Sequence, residues 1–214
     1  MRVDGKITAI EPQKRQKHRR NIYLDGEFAF SLDRLTAVWL KEGQTLSTQE
    51  ITRLQQKDGL EAAYNRALHL LSIKARSLQE VEQFLQRKGY AEEFIPSVIA
   101  RLKEDKFLDD RRFAEDWVDN RASFRPRSIS QMRFELLQKG VSRDLADAAL
   151  QQAGLDENAL ALKAGQKMAK RYAALDQKTF MRRLGAALTR RGFNFEAAQA
   201  ACKQLWQDLK QNTL

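Results

Sequence analysis

The chain has 214 residues, of which 43% are hydrophobic and 31% charged, and a formal net charge of +10. Ten glycines and three prolines speak against an all-β or loop-rich fold, and the single cysteine, Cys202, excludes an internal disulfide framework and fits a reducing compartment. No apolar run approaches the roughly 20 residues of a membrane span, and the first residues hold no apolar signal core, so a cytoplasmic protein without membrane contact is expected.

The positive charge is unevenly placed. Residues 1–58 carry +3, 59–108 carry +1, 109–154 carry 0 and 155–214 carry +6. Such a balance points to an acidic partner, most commonly nucleic acid.

In chain order, Gly5 to Ile10 alternates with β-branched residues and predicts a strand. Asn21 to Phe30 predicts two strands joined at Asp25-Gly26, whose positive φ angles suit a tight hairpin turn. Between them lies a basic loop holding Lys14, Arg15, Lys17, Arg19 and Arg20. After Ser31 the pattern becomes helical and stays so. Ser47-Thr48-Gln49-Glu50 and Ser77-Leu78-Gln79-Glu80 have capping-box spacing, and Ser128-Ile129-Ser130-Gln131 is a variant with Gln.

The last two boxes lie 51 residues apart and belong to a repeat. Arg76-Ser77-Leu78 matches Arg127-Ser128-Ile129, Val81 matches Met132, Leu85 matches Leu136, and Lys88-Gly89 matches Lys139-Gly140. A third copy follows after 52 residues, with Met181, Leu184, Leu188 and Arg191-Gly192, but without the Arg-Ser cap. Apolar residues at i, i+3 and i+7 line one face of a helix of about twelve residues. Gly89, Gly140 and Gly192 are each expected to end such a helix, because glycine enters the left-handed C-cap without steric cost. A second helix follows, through Phe94, Ile95, Val98, Ile99 and Leu102 in one copy and Leu145, Ala148 and Ala149 in the next. A longer helix precedes each pair, over roughly 59–74, 109–123 and 157–173. The expected fold is therefore mainly α: three tandem three-helix repeats over 58–108, 109–154 and 155–214, stacked in an elongated curved array, after a β-hairpin extension with linking helices over 1–57.

The stretch Lys106 to Trp117 raises the question of catalysis, with four carboxylates, two arginines and three aromatic rings. As structure, Asp109 and, in the preceding copy, Asp58 would each start the first helix of a repeat. Phe113 and Trp117 would share one helical face, Phe107 would pack just before the cap, and Asp110, Arg111, Glu115 and Asp116 would pair along the exposed side. As a metal-dependent nuclease, the site would need further acids or histidines, yet His18 and His69 stand in unrelated contexts. No phosphate-binding loop, nucleophile elbow, H-E-x-x-H or paired-cysteine signature is present. No catalytic residue, metal or cofactor is expected. Trp39 and Trp206 read as core or repeat-junction aromatics.

Three basic clusters carry the candidate contacts: the Lys14–Arg20 loop; Arg121, Arg125 and Arg127 around Pro126; and Lys163, Lys167, Lys170 and Arg171 with Arg182, Arg183, Arg190 and Arg191 beyond. The chain resembles the RecX family of bacterial recombination regulators. The likeness is carried by Ala67-Leu68 to Leu71, Arg76-Ser77, Glu80-Val81, Leu85, Lys88-Gly89-Tyr90, Leu102, the run Phe107 to Ala114, Arg121, Arg127, Leu136 and Lys139-Gly140. This resemblance implies three-helix repeats and binding to the RecA recombinase, mainly to its filament on single-stranded DNA, with restraint of its activities. It implies a body lying in the filament groove, touching several protomers and in reach of the DNA. A monomer is expected. The alternative is a stand-alone nucleic-acid-binding protein whose basic faces grip phosphates directly.

Overall fold

A computed structural model describes residues 4–211, which fall into two compact units: 4–74 with 82–107, and 75–81 with 108–211. The first unit opens with an antiparallel sheet in the order β3-β2-β1-β4, formed by β1 (Gly5–Pro12), β2 (Arg19–Leu24), β3 (Glu27–Asp33) and β4 (Thr45–Leu46). The β2–β3 turn is Asp25-Gly26, with φ of 49° and 89°, the doubly positive pair of a two-residue hairpin. Ile7, Ile22, Leu24, Phe30, Leu32 and Leu46 fill the space behind it with Ile51.

The pattern does not turn helical after Ser31: β3 runs to Asp33, a 3₁₀ turn follows over Thr36–Trp39, and β4 pairs with Gly5 and Lys6. Two residues of strand are too short to carry a period. Trp39, read as a core or repeat-junction aromatic, is 83% exposed.

Helix α1 (Thr48–Ile73) starts at Ser47, whose hydroxyl accepts from the Glu50 N–H while Glu50 accepts from the Ser47 N–H. It then runs through Asp58-Gly59, so Asp58 starts no helix. Asp58 is buried instead and accepts from the Asp33 N–H at 2.5 Å and from Arg19 Nη2 at 2.9 Å, pinning α1 to β2 and β3. α3 (Ile95–Glu104) packs on α1 through Val98, Ile99 and Leu102, and Arg101 bonds Glu61 at 2.7 Å. The division between the units falls within α2 (Leu78–Arg87).

The second unit holds α4 (Asp110–Phe124), α5 (Ile129–Gln138), α6 (Arg143–Gln152), α7 (Glu157–Arg171), α8 (Gln177–Thr189) and α9 (Phe195–Gln211). Their apolar faces merge into a single core from Phe113 to Leu205, so neighbouring three-helix segments bury what neither could bury alone. Within the repeat, Leu78, Ile129 and Met181 are half-buried, whereas Val81, Leu85, Met132, Leu136, Leu184 and Leu188 are fully enclosed. In α6 the buried positions are Ala146, Ala149 and Leu150; Ala148 is exposed, one position off the expected face. Side-chain caps come from Asp109, Ser128, Ser142, Asp156 and Asp176. Phe107 is 56% exposed and Leu108 takes the buried place, because Lys106 turns the chain with a φ of 61°.

Gly89, Gly140 and Gly192 follow α2, α5 and α8 with φ of 77°, 79° and 88°. A Cβ at Gly89 would meet open space, whereas one at Gly140 would overlap the Gln79 side chain. Replacement at Gly89 is expected to cost about 1 kcal/mol for the left-handed backbone alone. Gly140→Ala is expected to lose about 1 kcal/mol more than Gly89→Ala, through the added overlap. Urea unfolding of both variants tests this, and equal losses would mean that the close approach carries no energy. Asp58→Ala, which leaves the Asp33 N–H without its acceptor and the Arg19 charge without its carboxylate, is expected to destabilise the first unit by about 3 kcal/mol. A loss under about 0.5 kcal/mol, the range of ordinary surface changes, would show that this pair does not hold sheet to helix.

Candidate functional site

The acidic stretch that opens α4 is committed to helix starts. Asp109 accepts from the N–H groups of Arg111 and Arg112 at 2.9 and 3.2 Å, capping α4. Asp110 accepts from the Leu78 N–H at 2.8 Å, at the start of α2. Arg111 pairs with Glu115 at 3.3 Å, and the Phe113 and Trp117 rings meet at 5.9 Å between centroids. No cluster of three metal-capable side chains occurs among the described residues. His18 and His69, remote in sequence, both line a cleft of about 790 Å³ in the first unit, with Lys57 and Arg66 among its walls. Cys202 is enclosed in α9, where burial pushes its thiol pKa up to about 11. Trp206 packs on Phe180 at 5.0 Å, with Lys210 over its ring. No helix among the described residues is long and apolar enough to cross a membrane.

The basic clusters separate into cations used by the fold and cations left to solvent. In the first unit Lys14, Arg15 and Lys17 are exposed. Arg19 belongs to β2 rather than to a loop and is spent on Asp58 and the Ser31 carbonyl. Arg20 folds back onto the carbonyls of Lys17 and Arg19.

In the second unit Arg121 is also a structural residue. Its Nε donates to Glu135 at 2.6 Å and its guanidinium lies 4.4 Å from the Trp117 ring centre. Trp117 Nε1 donates to the same carboxylate at 3.1 Å, and Lys139 covers the ring at 4.6 Å. Nothing in the local sequence marks Glu135 as the acid on which these groups converge. Arg125 is exposed, and Arg127 reaches Glu135 only at 3.8 Å.

Lys163, Lys167, Lys170 and Arg171 recur at i, i+4, i+7 and i+8 along α7, all exposed, so they share one helical face. Arg182, Arg183 and Arg190 are exposed as well, and Arg191 is half-buried. None of these eight cations makes an ion pair with another described residue. Burial, then the charges of Arg127 and Arg190, hold Arg191 below the ordinary arginine pKa. Glu80 differs: burial opposes its charge, but Lys139, the Ser77 N–H and Arg76 outweigh burial and hold it below the usual glutamate value.

Comparison with known proteins places all four segments in one family. Residues 5–47 match the regulatory protein RecX N-terminal domain, and residues 63–102, 109–150 and 156–202 match the first, second and third three-helix domains of RecX, in that order. The chain is 33% identical over 210 residues to "Regulatory protein RecX" of Bacillus subtilis (strain 168), covering 97% of this chain and 80% of that protein. A solved structure, "Crystal structure of regulatory protein RecX", aligns with a TM-score of 0.66 and 27% identity over 95% of this chain and 99% of that one. The RecX structure from Lactobacillus salivarius shares the fold, with a TM-score of 0.58 over 70% of this chain and 97% of that one at 23% identity. With every segment matched in sequence order and a third of its residues identical to the Bacillus protein across nearly its whole length, the chain belongs to the RecX family of regulatory proteins.

Proposed function

We propose that this chain is a non-enzymatic regulator that binds the RecA recombinase in its filament on single-stranded DNA and restrains its ATPase and strand-exchange activities. It acts as a cytoplasmic monomer without a cofactor. The observation that carries this reading beyond family membership is the set of unpaired cations on α7 and α8. Charges that serve no fold contact in the protein itself are available to an acidic surface or to phosphates, and they steer association more than they set its final strength. Several three-helix segments in series allow contact with more than one filament subunit, which raises avidity without any single strong site. The opening acidic stretch suits this role, since Asp109 and Asp110 hold backbone N–H groups.

The test is titration of the DNA-dependent ATPase of the recombinase from the same organism. Suppression is expected below one copy per recombinase subunit. Charge reversal at Arg182 and Arg183 to Glu is expected to raise the half-inhibiting concentration by about tenfold, the lower range of electrostatic steering effects. The melting temperature should hardly move, because exposed substitutions cost roughly 0.5 kcal/mol or less. Unchanged inhibition would remove α8 from the docking surface. No effect of the unaltered chain at any ratio would refute the regulator reading and leave direct nucleic-acid binding in its place.

Asp109→Ala is expected to lower stability by about 1 kcal/mol through loss of the α4 cap. Labelled DNA with Mg²⁺ or Mn²⁺ should stay intact with both the unaltered chain and the variant. Cleavage by the former that disappears in the latter would turn the acidic stretch into an active site.

A further inference from the structure

Two junctions in the second unit are built alike and charged differently. At the first, Lys139 Nζ donates to Glu80 Oε1 at 2.7 Å and Arg76 lies 3.8 Å from the same oxygen. At the repeat offset of 51 residues Arg76 becomes Arg127 and Glu80 becomes Gln131; at 52 residues Gln138 becomes Arg190 and Lys139 becomes Arg191. Two cations around one carboxylate are thus replaced by three cations around a neutral amide.

The second junction cannot relax by spreading apart. The Ser128 N–H donates to the Arg191 carbonyl at 3.2 Å, and Gly192 sits so close to the Ser128 and Gln131 side chains that a Cβ there would overlap both. Arg127 Nη1 reaches the Arg190 carbonyl at 3.5 Å, and Arg191 Nη1 meets the Met168 sulfur at 3.1 Å. Of the neighbouring acids, Glu135 is held by Arg121 at 2.6 Å and lies 3.8 Å from Arg127 Nε, which leaves Arg190 and Arg191 without a carboxylate among the described residues, and Glu157 accepts from the Ile129 N–H at 2.9 Å, the place Asp110 fills at the first junction.

We propose that the Arg127, Arg190 and Arg191 cluster is an oxyanion site that takes a backbone phosphate of single-stranded DNA. Guanidinium forks match the oxygens of a phosphate, and a partly buried cluster of like charges gains most from such an anion. The rings nearby in sequence favour a nucleic-acid strand over an acidic protein surface. Phe124, three residues before Arg127, is 77% exposed, and Phe195, four residues after Arg191, is 75% exposed. Unpaired bases stack on such rings beside a cationic track, and the repeat counterpart of Phe124 at the first junction is the aliphatic Ile73. The inference deepens the function proposed above and rests on it for the source of the strand, not for the binding.

The test uses the full chain alone, with a labelled oligothymidylate followed by fluorescence anisotropy over a salt series. Gln131→Glu supplies the carboxylate that the first junction has. The Ser128 N–H already donates to the Arg191 carbonyl, so the melting temperature of the variant is followed as a check that the junction is kept. Its affinity is expected to fall by about tenfold, the scale of one lost charge-assisted contact. The slope of log affinity against log salt should become shallower by about 0.7, one phosphate contact on a single strand. Arg190→Ala should behave in the same way. If both variants bind the oligonucleotide like the unaltered chain, or if the unaltered chain does not bind it, the assignment is wrong. If they bind it normally but no longer restrain the recombinase, the cluster serves an acidic protein surface and the DNA assignment fails. Loss of DNA affinity in both variants, while the unaltered chain leaves the recombinase unaffected, keeps the phosphate site and refutes the regulator reading.

Discussion

The end of one middle helix held against the start of the preceding one is the contact on which the second unit depends. Ser77, before α2, donates its hydroxyl to the Lys139 carbonyl after α5, and Ser128, before α5, donates its N–H to the Arg191 carbonyl after α8. A helix C-terminus needs donors for its last carbonyls, and the N-terminal end of another helix offers both donors and the complementary partial charge. Glycine follows each carbonyl because the approach leaves no room for a Cβ at Gly140 or Gly192. The same contacts fix the register in which the apolar core from Phe113 to Leu205 packs.

Legibility followed the same physics. The glycine ends and the apolar triads could be read because they are local and repeat at a fixed offset, and local signals survive in a single sequence. Asp58 misled because it stands one repeat offset before Asp109, which does cap a helix, whereas its own carboxylate is used by Asp33 and Arg19, more than twenty residues upstream. Phe107 misled for a related reason: a left-handed Lys106 rotates the following ring outward and puts Leu108 in its place. Strand β4 owes its existence to bonds from Gly5 and Lys6 rather than to its own two residues.

Among the candidate contact residues, composition located the cations but not their occupations. Arg19 and Arg121 resemble their neighbours in sequence, yet each is bound to a buried or half-buried carboxylate on another element. The lysines of α7 could be placed on one face from spacing alone, because that face follows from helical geometry. Arg182 and Arg183 depend only on their offset from Leu184, which points inward.

The third repeat differs in the one place where a further unit would have to attach. The position equivalent to Ser77 and Ser128 is Phe180, which is fully enclosed and lies inside α8, because that helix begins a turn earlier at the Asp176 cap. The Phe180 N–H is consumed by the Asp176 carbonyl at 2.9 Å, and a phenyl ring stands where a hydroxyl would be. Asp176 is itself occupied by the Thr179 N–H and, as a carboxylate, has no proton to give. The donor that Ser77 and Ser128 offer to a helix end is therefore missing at Phe180. Any helix end docked against the start of α8 would have to be held by a different contact.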